Sequence, residues 1–177
     1  MSDGPCPVEI AELVEQFAEL LYRYAYRLTG NAADAEDLTQ QTFLTAQQKR
    51  NQLRDCQSVK WWLCSILRNA FLTSRRHRGR TQSLEGMIDS LCLDEPPQTL
   101  VDPDELQRAL LELPEEHRSA LILFYFEEFS YQEIAEQMQL PIGTVMSRLS
   151  RAKAFLRRRL SEETQIGGRP HREKVAL

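Results

Sequence analysis

The residues with the clearest chemical potential are basic side chains that cluster in two short segments. Residues 47–80 contain nine Lys or Arg and one acid, and residues 143–160 contain six and no acid. Arginine donates hydrogen bonds to phosphates and to guanine edges, so such clusters are typical of surfaces that bind nucleic acid. The remainder is acidic, and the net charge is −4. This alternation predicts two separate contacts with a polyanion.

The second basic segment follows a short helix and a tight turn. Ser130 and Glu133 have the spacing of a capping box, which predicts a helix over Tyr131 to Met138. A break at Gln139 to Pro141 precedes a last helix that reaches about Leu160. This is the helix-turn-helix pattern, whose second helix enters the major groove. Its outward face carries the candidate duplex-reading residues Thr144, Ser147, Arg148, Arg151 and Arg158.

The first basic segment predicts an amphipathic helix that begins after Ser58. On a helical wheel its apolar residues share one face, whereas Trp61, Arg68 and Arg75 follow an exposed edge. Aromatic rings beside arginines are typical of grooves that hold single-stranded nucleic acid. The basic extension with Arg76 and Arg78 continues this edge. Trp61 has an alternative role, which is to pack under the polar loop 51–57.

The elements that must position these residues are helical nearly throughout, because apolar residues recur at three- and four-residue steps. We therefore predict an all-α protein with two small helical domains, at residues 8–80 and 104–161. A flexible acidic linker rich in Pro and Ser joins them over residues 81–103. The tail, residues 162–177, lacks periodicity and is expected to be disordered or to serve regulation.

Several functional classes are disfavoured by the sequence. No apolar run is long enough for a membrane span, and no secretory signal precedes the first helix, so a cytoplasmic protein is expected. The four cysteines form no CxxC pair, and reduced thiols are expected. There is no glycine-rich phosphate loop, nucleophile motif or metal cluster, so we expect no enzyme activity, cofactor, metal or small-molecule substrate.

An acidic helix precedes the first basic segment. Asp37, Gln40 and Gln41 lie on it with further carboxylates in its first turns. Paired carboxylates can serve acid–base catalysis, but no His, Ser or Cys partner stands at a fixed spacing. An exposed face that docks a basic partner protein is the better interpretation.

Five stretches in order resemble the extracytoplasmic-function sigma factors. The stretches Asp34 to Leu44 and Trp62 to Asn69 are similar to their region 2. Leu113 to Arg118 resembles the start of region 4, and the stretches Phe129 to Glu136 and Pro141 to Leu149 resemble its helix-turn-helix. One such motif is common, but the ordered set over residues 8–160 is specific.

The resemblance implies a bacterial initiation factor that binds core RNA polymerase, through its β and β′ subunits, and directs it to promoter DNA. Asp37, Gln40 and Gln41 would face the β′ clamp helices. Region 2 would help melt the −10 element and hold its non-template strand, and region 4 would read the −35 element as duplex. The −10 contacts would come from Arg54, Trp61, Arg68, Asn69, Arg75, Arg76 and Arg78. An anti-sigma protein is a further expected partner.

The sequence departs from the family pattern at several positions. Gln41 stands where a glutamate is usual, so the expected clamp contact loses one charge. Met146 replaces a common lysine, so the usual −35 sequence cannot be carried over. Gln139 replaces a frequent glycine and is expected to adopt a costly left-handed conformation. Two alternatives stay open: a freestanding helix-turn-helix regulator that dimerises on a palindromic operator, and an adaptor that docks only proteins.

Overall fold

The computed structural model of the protein describes residues 9–53, 55–77 and 102–167. Every regular element in these ranges is helical, which confirms the all-α class. Two short 3-10 turns, Arg50–Gln52 and Cys56–Ser58, lie between the second and third helices. The α-helices are α1 (Ile10–Thr29), α2 (Ala32–Lys49), α3 (Val59–His77), α4 (Pro103–Glu112), α5 (Glu115–Tyr125), α6 (Tyr131–Met138) and α7 (Ile142–Gly167).

Helices α1 to α3 form the first helical domain. Gly30 ends α1 in the left-handed conformation, with φ of 68°, and Asn31 caps α2 by accepting a hydrogen bond from the Asp34 amide. α2 packs against both α1 and α3. Their apolar faces meet in a core in which Leu21, Tyr24 and Leu63 are fully buried. Local capping signals therefore begin and end the helices, and apolar burial holds them together.

Helices α4 to α7 form the second domain, where α5 and α6 pack on α7. Ile122, Ile134 and Val145 are fully buried in its core. Ile142, which the wheel predicts on the inner stripe of α7, is instead 47% exposed because it stands at the first turn. Asp102 caps α4 and Pro103 is its first residue, so the last two residues assigned to the linker belong to this helix.

The prediction of an irregular tail from residue 162 is wrong for residues 162–167, because α7 continues to Gly167. Residues 168–177 and most of the predicted linker, residues 81–101, lie outside the described residues. The two domains are in direct contact, since α1 packs against both α4 and α5. The two domains are therefore joined by helix packing as well as by the linker.

The prediction that all cysteines are reduced is wrong for Cys56, which is disulfide-bonded. Cys64 is a free thiol in the core of the first domain, and burial raises its pKa far above the ordinary value. Cys64 is therefore a structural, unreactive side chain. None of the helices in the described ranges has the length and apolar character needed to cross a membrane.

Candidate nucleic-acid interface

The helix-turn-helix is built by local signals around α6. The Ser130 hydroxyl accepts a hydrogen bond from the Glu133 amide, and the Glu133 carboxylate accepts one from the Ser130 amide, which completes the predicted capping box. Gln139 ends α6 with φ of 55° and ψ of 47°, as predicted for the usual glycine position. The Leu140 amide bonds back to the Ala135 carbonyl, which fixes the turn into α7.

Helix α7 buries one stripe and turns the opposite one outward. Val145, Leu149 and Ala152 are buried in the second domain. Among the predicted duplex-reading residues, Ser147, Arg151 and Arg158 are exposed and Thr144 is half-buried. The outward face of α7 is therefore open to a large polar ligand.

Arg148 differs from its neighbours on α7, because a carboxylate within the same domain holds it. Its guanidinium donates a hydrogen bond to Glu116 on α5, and the Arg148 side chain is only 18% exposed. His117 lies beside this pair, and burial, reinforced by the positive charge of Arg148, lowers its pKa. No motif in the sequence singles out Glu116, because its pairing with Arg148 joins two different helices.

The predicted edge of α3 is not exposed. The α3 edge, defined as Trp61, Arg68 and Arg75, faces the second domain, and all three side chains are half-buried. Trp61 Nε1 donates a hydrogen bond to the Glu133 carbonyl at 3.3 Å. A guanidinium nitrogen of Arg68 donates one to the Gln137 carbonyl at 3.4 Å. The expectation of a solvated edge is therefore wrong for this conformation, because α5 and α6 supply acceptors there.

Arg75 completes this contact, since its guanidinium donates to the Glu115 carboxylate at the start of α5. Burial lowers the pKa of Arg68 from its ordinary value, yet a guanidinium remains charged in proteins. The three side chains thus keep the chemistry expected of a strand-binding surface. One donor of each side chain makes a hydrogen bond within the protein, while Nε of Arg68 is buried without a partner.

A partly buried ion pair lies next to the α3 edge and was not predicted. Lys60 Nζ donates to the Glu127 carbonyl at 2.6 Å and lies 3.6 Å from the Glu127 carboxylate, whose side chain is 4% exposed. Burial raises the pKa of Glu127, while Lys60 and Arg27 oppose that rise. The only sequence signal was an acid placed among aromatic residues, between Phe126 and Phe129.

Residues predicted to contact two different partners line one groove. Asp37, Gln41, Asn69 and Arg75 all border a cavity of about 640 Å³ between α2 and α3. Asp37, Gln40 and Gln41 are exposed, as is Asn69. Arg54 and Arg78 lie outside the described residues, and Arg76 lies on α3 with its side chain outside them.

Comparison with known proteins identifies the chain. The family described as Sigma-70 region 2 matches residues 13–81, and that described as Sigma-70, region 4 matches residues 104–156. The ECF RNA polymerase sigma factor SigL of Mycobacterium tuberculosis is 35% identical over 160 residues, covering 85% of this chain and 88% of SigL. The chain is an ECF RNA polymerase sigma factor.

Two further relatives support this assignment. The ECF sigma factor SigE of Mycolicibacterium smegmatis is 38% identical over 160 residues; the match covers 86% of this chain and spans 62% of that relative. The structure of the sigma factor RpoE in complex with the anti-sigma factor NepR, from Bartonella quintana, has a TM-score of 0.70 and 31% identity. The structural match covers 85% of this chain and 96% of the RpoE chain.

As an ECF sigma factor, the chain is a transcription initiation factor that directs RNA polymerase to promoters. Regions 2 and 4 follow each other on one chain, which favours this function over a freestanding helix-turn-helix regulator. The sigma factor family consists of non-enzymatic transcription factors.

Proposed function

We propose that this sigma factor binds core RNA polymerase with the exposed face of α2 and binds promoter DNA with α3 and α7. Asp37, Gln40 and Gln41 form the α2 face, which suits the basic clamp of the β′ subunit. The β subunit is the second polymerase contact. The observation that supports this most directly is the position of these polar side chains, exposed on a helix whose opposite face is buried.

The −35 element is assigned to α7. Ser147, Arg151 and Arg158 project outward from the helix that follows the turn, and Thr144 and Arg148 flank them. An arginine can donate two hydrogen bonds to the O6 and N7 acceptors of guanine, and serine hydroxyls reach bases or phosphates. Arg148, whose guanidinium is already oriented by Glu116, is assigned the base contact.

The −10 element is assigned to the α3 edge and its surroundings. Trp61 supplies a ring on which a base can stack, and Arg68 and Arg75 supply cations for the strand's phosphates. Asn69, Arg54, Arg76 and Arg78 are assigned to the same strand. With these assignments, region 2 at residues 8–80 helps melt the promoter, and region 4 at residues 104–161 reads its duplex. The acidic linker, residues 81–103, joins the two regions, and the tail, residues 162–177, follows region 4.

The negative total charge suits a factor that acts only with polymerase. Phosphate neutralisation supplies most of the affinity of autonomous DNA-binding proteins, which are therefore usually basic. This chain has a net charge of −4 and two basic surfaces. Weak binding of the isolated chain to promoter duplex is the expected consequence.

We assign a cytoplasmic location, where RNA polymerase acts, and no catalytic activity, cofactor or small-molecule substrate. The RpoE relative is bound to the anti-sigma factor NepR. By analogy we propose that an anti-sigma protein regulates this chain too.

Run-off transcription tests the proposal. Purified chain is added to core polymerase on a pool of promoter fragments, and the transcript starts are sequenced. A defined set of starts that depends on the chain, and that share sequences at −10 and −35, is the expected result. Tight, sequence-specific binding of the isolated chain to a palindromic site, with transcript starts unchanged, would instead establish the freestanding regulator.

A further inference from the structure

We propose that region 4 of this sigma factor is an intramolecular cap that covers the −10-binding edge of α3 in the free protein. The inference rests on the proposed role of that edge. The interdomain cap is defined here as the contacts of α4, α5, α6 and the segment 126–129 with α1 and α3. These contacts have to break before a DNA strand can reach Trp61, Arg68 and Arg75.

The first argument is that region 4 satisfies the same donors that would hold the strand. Trp61, Arg68 and Arg75 each donate to an oxygen of region 4, at Glu133, Gln137 and Glu115 respectively. Two of these acceptors are backbone carbonyls, and the third is a carboxylate. A phosphate or a base needs the same N–H groups, so DNA and region 4 compete for one surface.

The second argument is the buried anchor beside this edge. Lys60 of α3 reaches into region 4 to pair with Glu127, and Arg27 of α1 lies 4.0 Å from the centre of the Phe126 ring. The Glu127 side chain is buried and that of Lys60 is half-buried, so removing Lys60 would leave a buried carboxylate without this partner, which is costly. Side chains of α1 and α3 in region 2 therefore hold the segment 126–129 of region 4 between them.

The third argument concerns the end of α1. The last carbonyls of a helix have no partner within it. Gln107 of α4 donates to the carbonyls of Tyr26 and Arg27, and Arg118 of α5 donates to that of Leu28 at 2.9 Å. Side chains of region 4 therefore satisfy the last carbonyls of α1, a helix of region 2.

Close packing accompanies these hydrogen bonds. A Cβ atom built on Gly30, just after α1, would stand 2.3 Å from Cδ1 of Leu111 on α4. A side chain at position 30 would therefore force the Leu111 side chain of α4 to move, which shows that the end of α1 and α4 are in direct contact. This contact is separate from the α3 edge, so the cap holds region 2 at two places.

The cap leaves the other two functional surfaces open. Asp37, Gln40 and Gln41 on α2 are exposed, and Leu44 on the same helix is 59% exposed. Ser147, Arg151 and Arg158 on α7 are exposed as well. The closed chain can thus dock on polymerase and present its −35 face, while its −10 edge stays covered. Selective covering of one surface is what keeps the free chain from capturing single strands.

The intrinsic fluorescence of Trp61 reports closure without any DNA. The chain has two tryptophans, so the Trp62→Phe background leaves Trp61 as the sole tryptophan. The cap variant carries Gln107→Ala and Glu115→Ala, which remove partners of α1 and of Arg75. The matched control is Glu112→Ala, which removes an ion pair with Arg159 inside region 4. Lys60→Met is a second cap variant, and circular dichroism checks that each chain folds.

We expect Trp61 of the otherwise unchanged chain to be poorly quenched by acrylamide. Both cap variants should raise the quenching constant and shift the emission to longer wavelength, and they should increase the radius of gyration in X-ray scattering. The control should do neither. If Trp61 is as readily quenched in the unchanged chain as in the folded cap variants, the cap is overturned, whatever the chain does in transcription.

Binding of single-stranded DNA tests the consequence of closure. The probe is a fluorescein-labelled non-template oligonucleotide with the −10 sequence found in run-off transcription. Tighter binding by the cap variants than by the Glu112→Ala control supports the proposal. Equal binding by folded, open cap variants refutes an inhibitory role for the contact. Failure of run-off transcription itself refutes the proposed function and leaves the fluorescence result standing.

Discussion

Glu116 on α5 and Arg148 on α7 form an ion pair across two helices of region 4. The Glu116 side chain is 65% exposed, whereas that of Arg148 is 18% exposed. An ion pair so open to solvent adds little to stability, but it fixes the direction of the guanidinium. In this protein that guanidinium is the proposed reader of the −35 element, so a residue outside the recognition helix orients a base contact.

The first prediction concerns this pair. Arg148→Ala should relax −35 selectivity at one position, with a loss of about 1–3 kcal/mol if the contact is bidentate. Glu116→Gln should relax it less and leave the unfolding temperature nearly unchanged. Transcription from promoters randomised at −35 measures both. Glu112→Gln, which loses a similar pair with Arg159, is the control. Unaltered −35 preference in Arg148→Ala removes the assignment.

The second prediction concerns polymerase docking. Asp37→Arg places a cation on the exposed face of α2 and should weaken binding to core polymerase with DNA absent, because the proposed partner surface is basic. Co-purification with core polymerase measures this. Glu15→Arg, the same change on an exposed position of α1, is the control and should bind normally. Equal co-purification of the two variants would contradict the docking face.

The third prediction separates strand opening from initial binding. Trp61→Ala removes the proposed stacking ring and should reduce promoter melting more than formation of the closed complex. Permanganate footprinting reports melting, and filter binding reports the complex. Trp61→Phe keeps a ring but loses the N–H that reaches Glu133, so it should retain most of the melting. Normal footprints for Trp61→Ala would exclude a stacking role.

The fourth prediction is a pH dependence from His117. Burial, and next the charge of Arg148, lowers its pKa in the folded chain, so the unfolded chain takes up a proton first as the pH falls. The contribution of neutral His117 to the free energy of unfolding is therefore fully present at pH values above the ordinary histidine pKa. It is lost as the pH falls from there through the lowered value.

Thermal unfolding across that interval tests this expectation. The decline of stability should be smaller in His117→Gln, whose side chain does not titrate, and an NMR titration of the His117 ring should show the lowered pKa directly. A His117 pKa at or above the ordinary value would contradict the effect of burial.

The fifth prediction concerns the turn of the helix-turn-helix. Gln139 has φ of 55°, a conformation that costs an L-residue about 1–2 kcal/mol relative to glycine. Gln139→Gly should therefore stabilise region 4, by less than that cost because glycine also loses more freedom on folding. Gln132→Gly, in the first turn of α6, is the control and should destabilise region 4, by less than the roughly 1 kcal/mol that glycine costs in a helix interior. Chemical denaturation measures both, and a destabilised Gln139→Gly would refute the assignment of strain.

The local elements of this protein could be read from its sequence because their signals are local. Gly30 ends α1, Asn31 caps α2, and Ser130 with Glu133 starts α6, each through hydrogen bonds within a few residues. The left-handed turn at Gln139 and the outward basic face of α7 were predicted for the same reason. Apolar periodicity likewise placed most of the buried stripes. Two residues on them are exposed instead: Val14 of α1, at 38%, and Ile142 in the first turn of α7, at 47%.

What covers the α3 edge was decided by the tertiary structure alone. A helical wheel shows that Trp61, Arg68 and Arg75 leave the core of their own domain, but it carries no information on what lies opposite. Trp61 and Arg68 meet acceptors that stand 72 and 69 residues further along the chain. Such pairs arise from the packing of two domains, and residue spacing does not encode them. The same holds for Lys60 with Glu127 and for Glu116 with Arg148. The sequence thus determined which surfaces could bind nucleic acid, and the packing of region 4 on region 2 decided which of them is open.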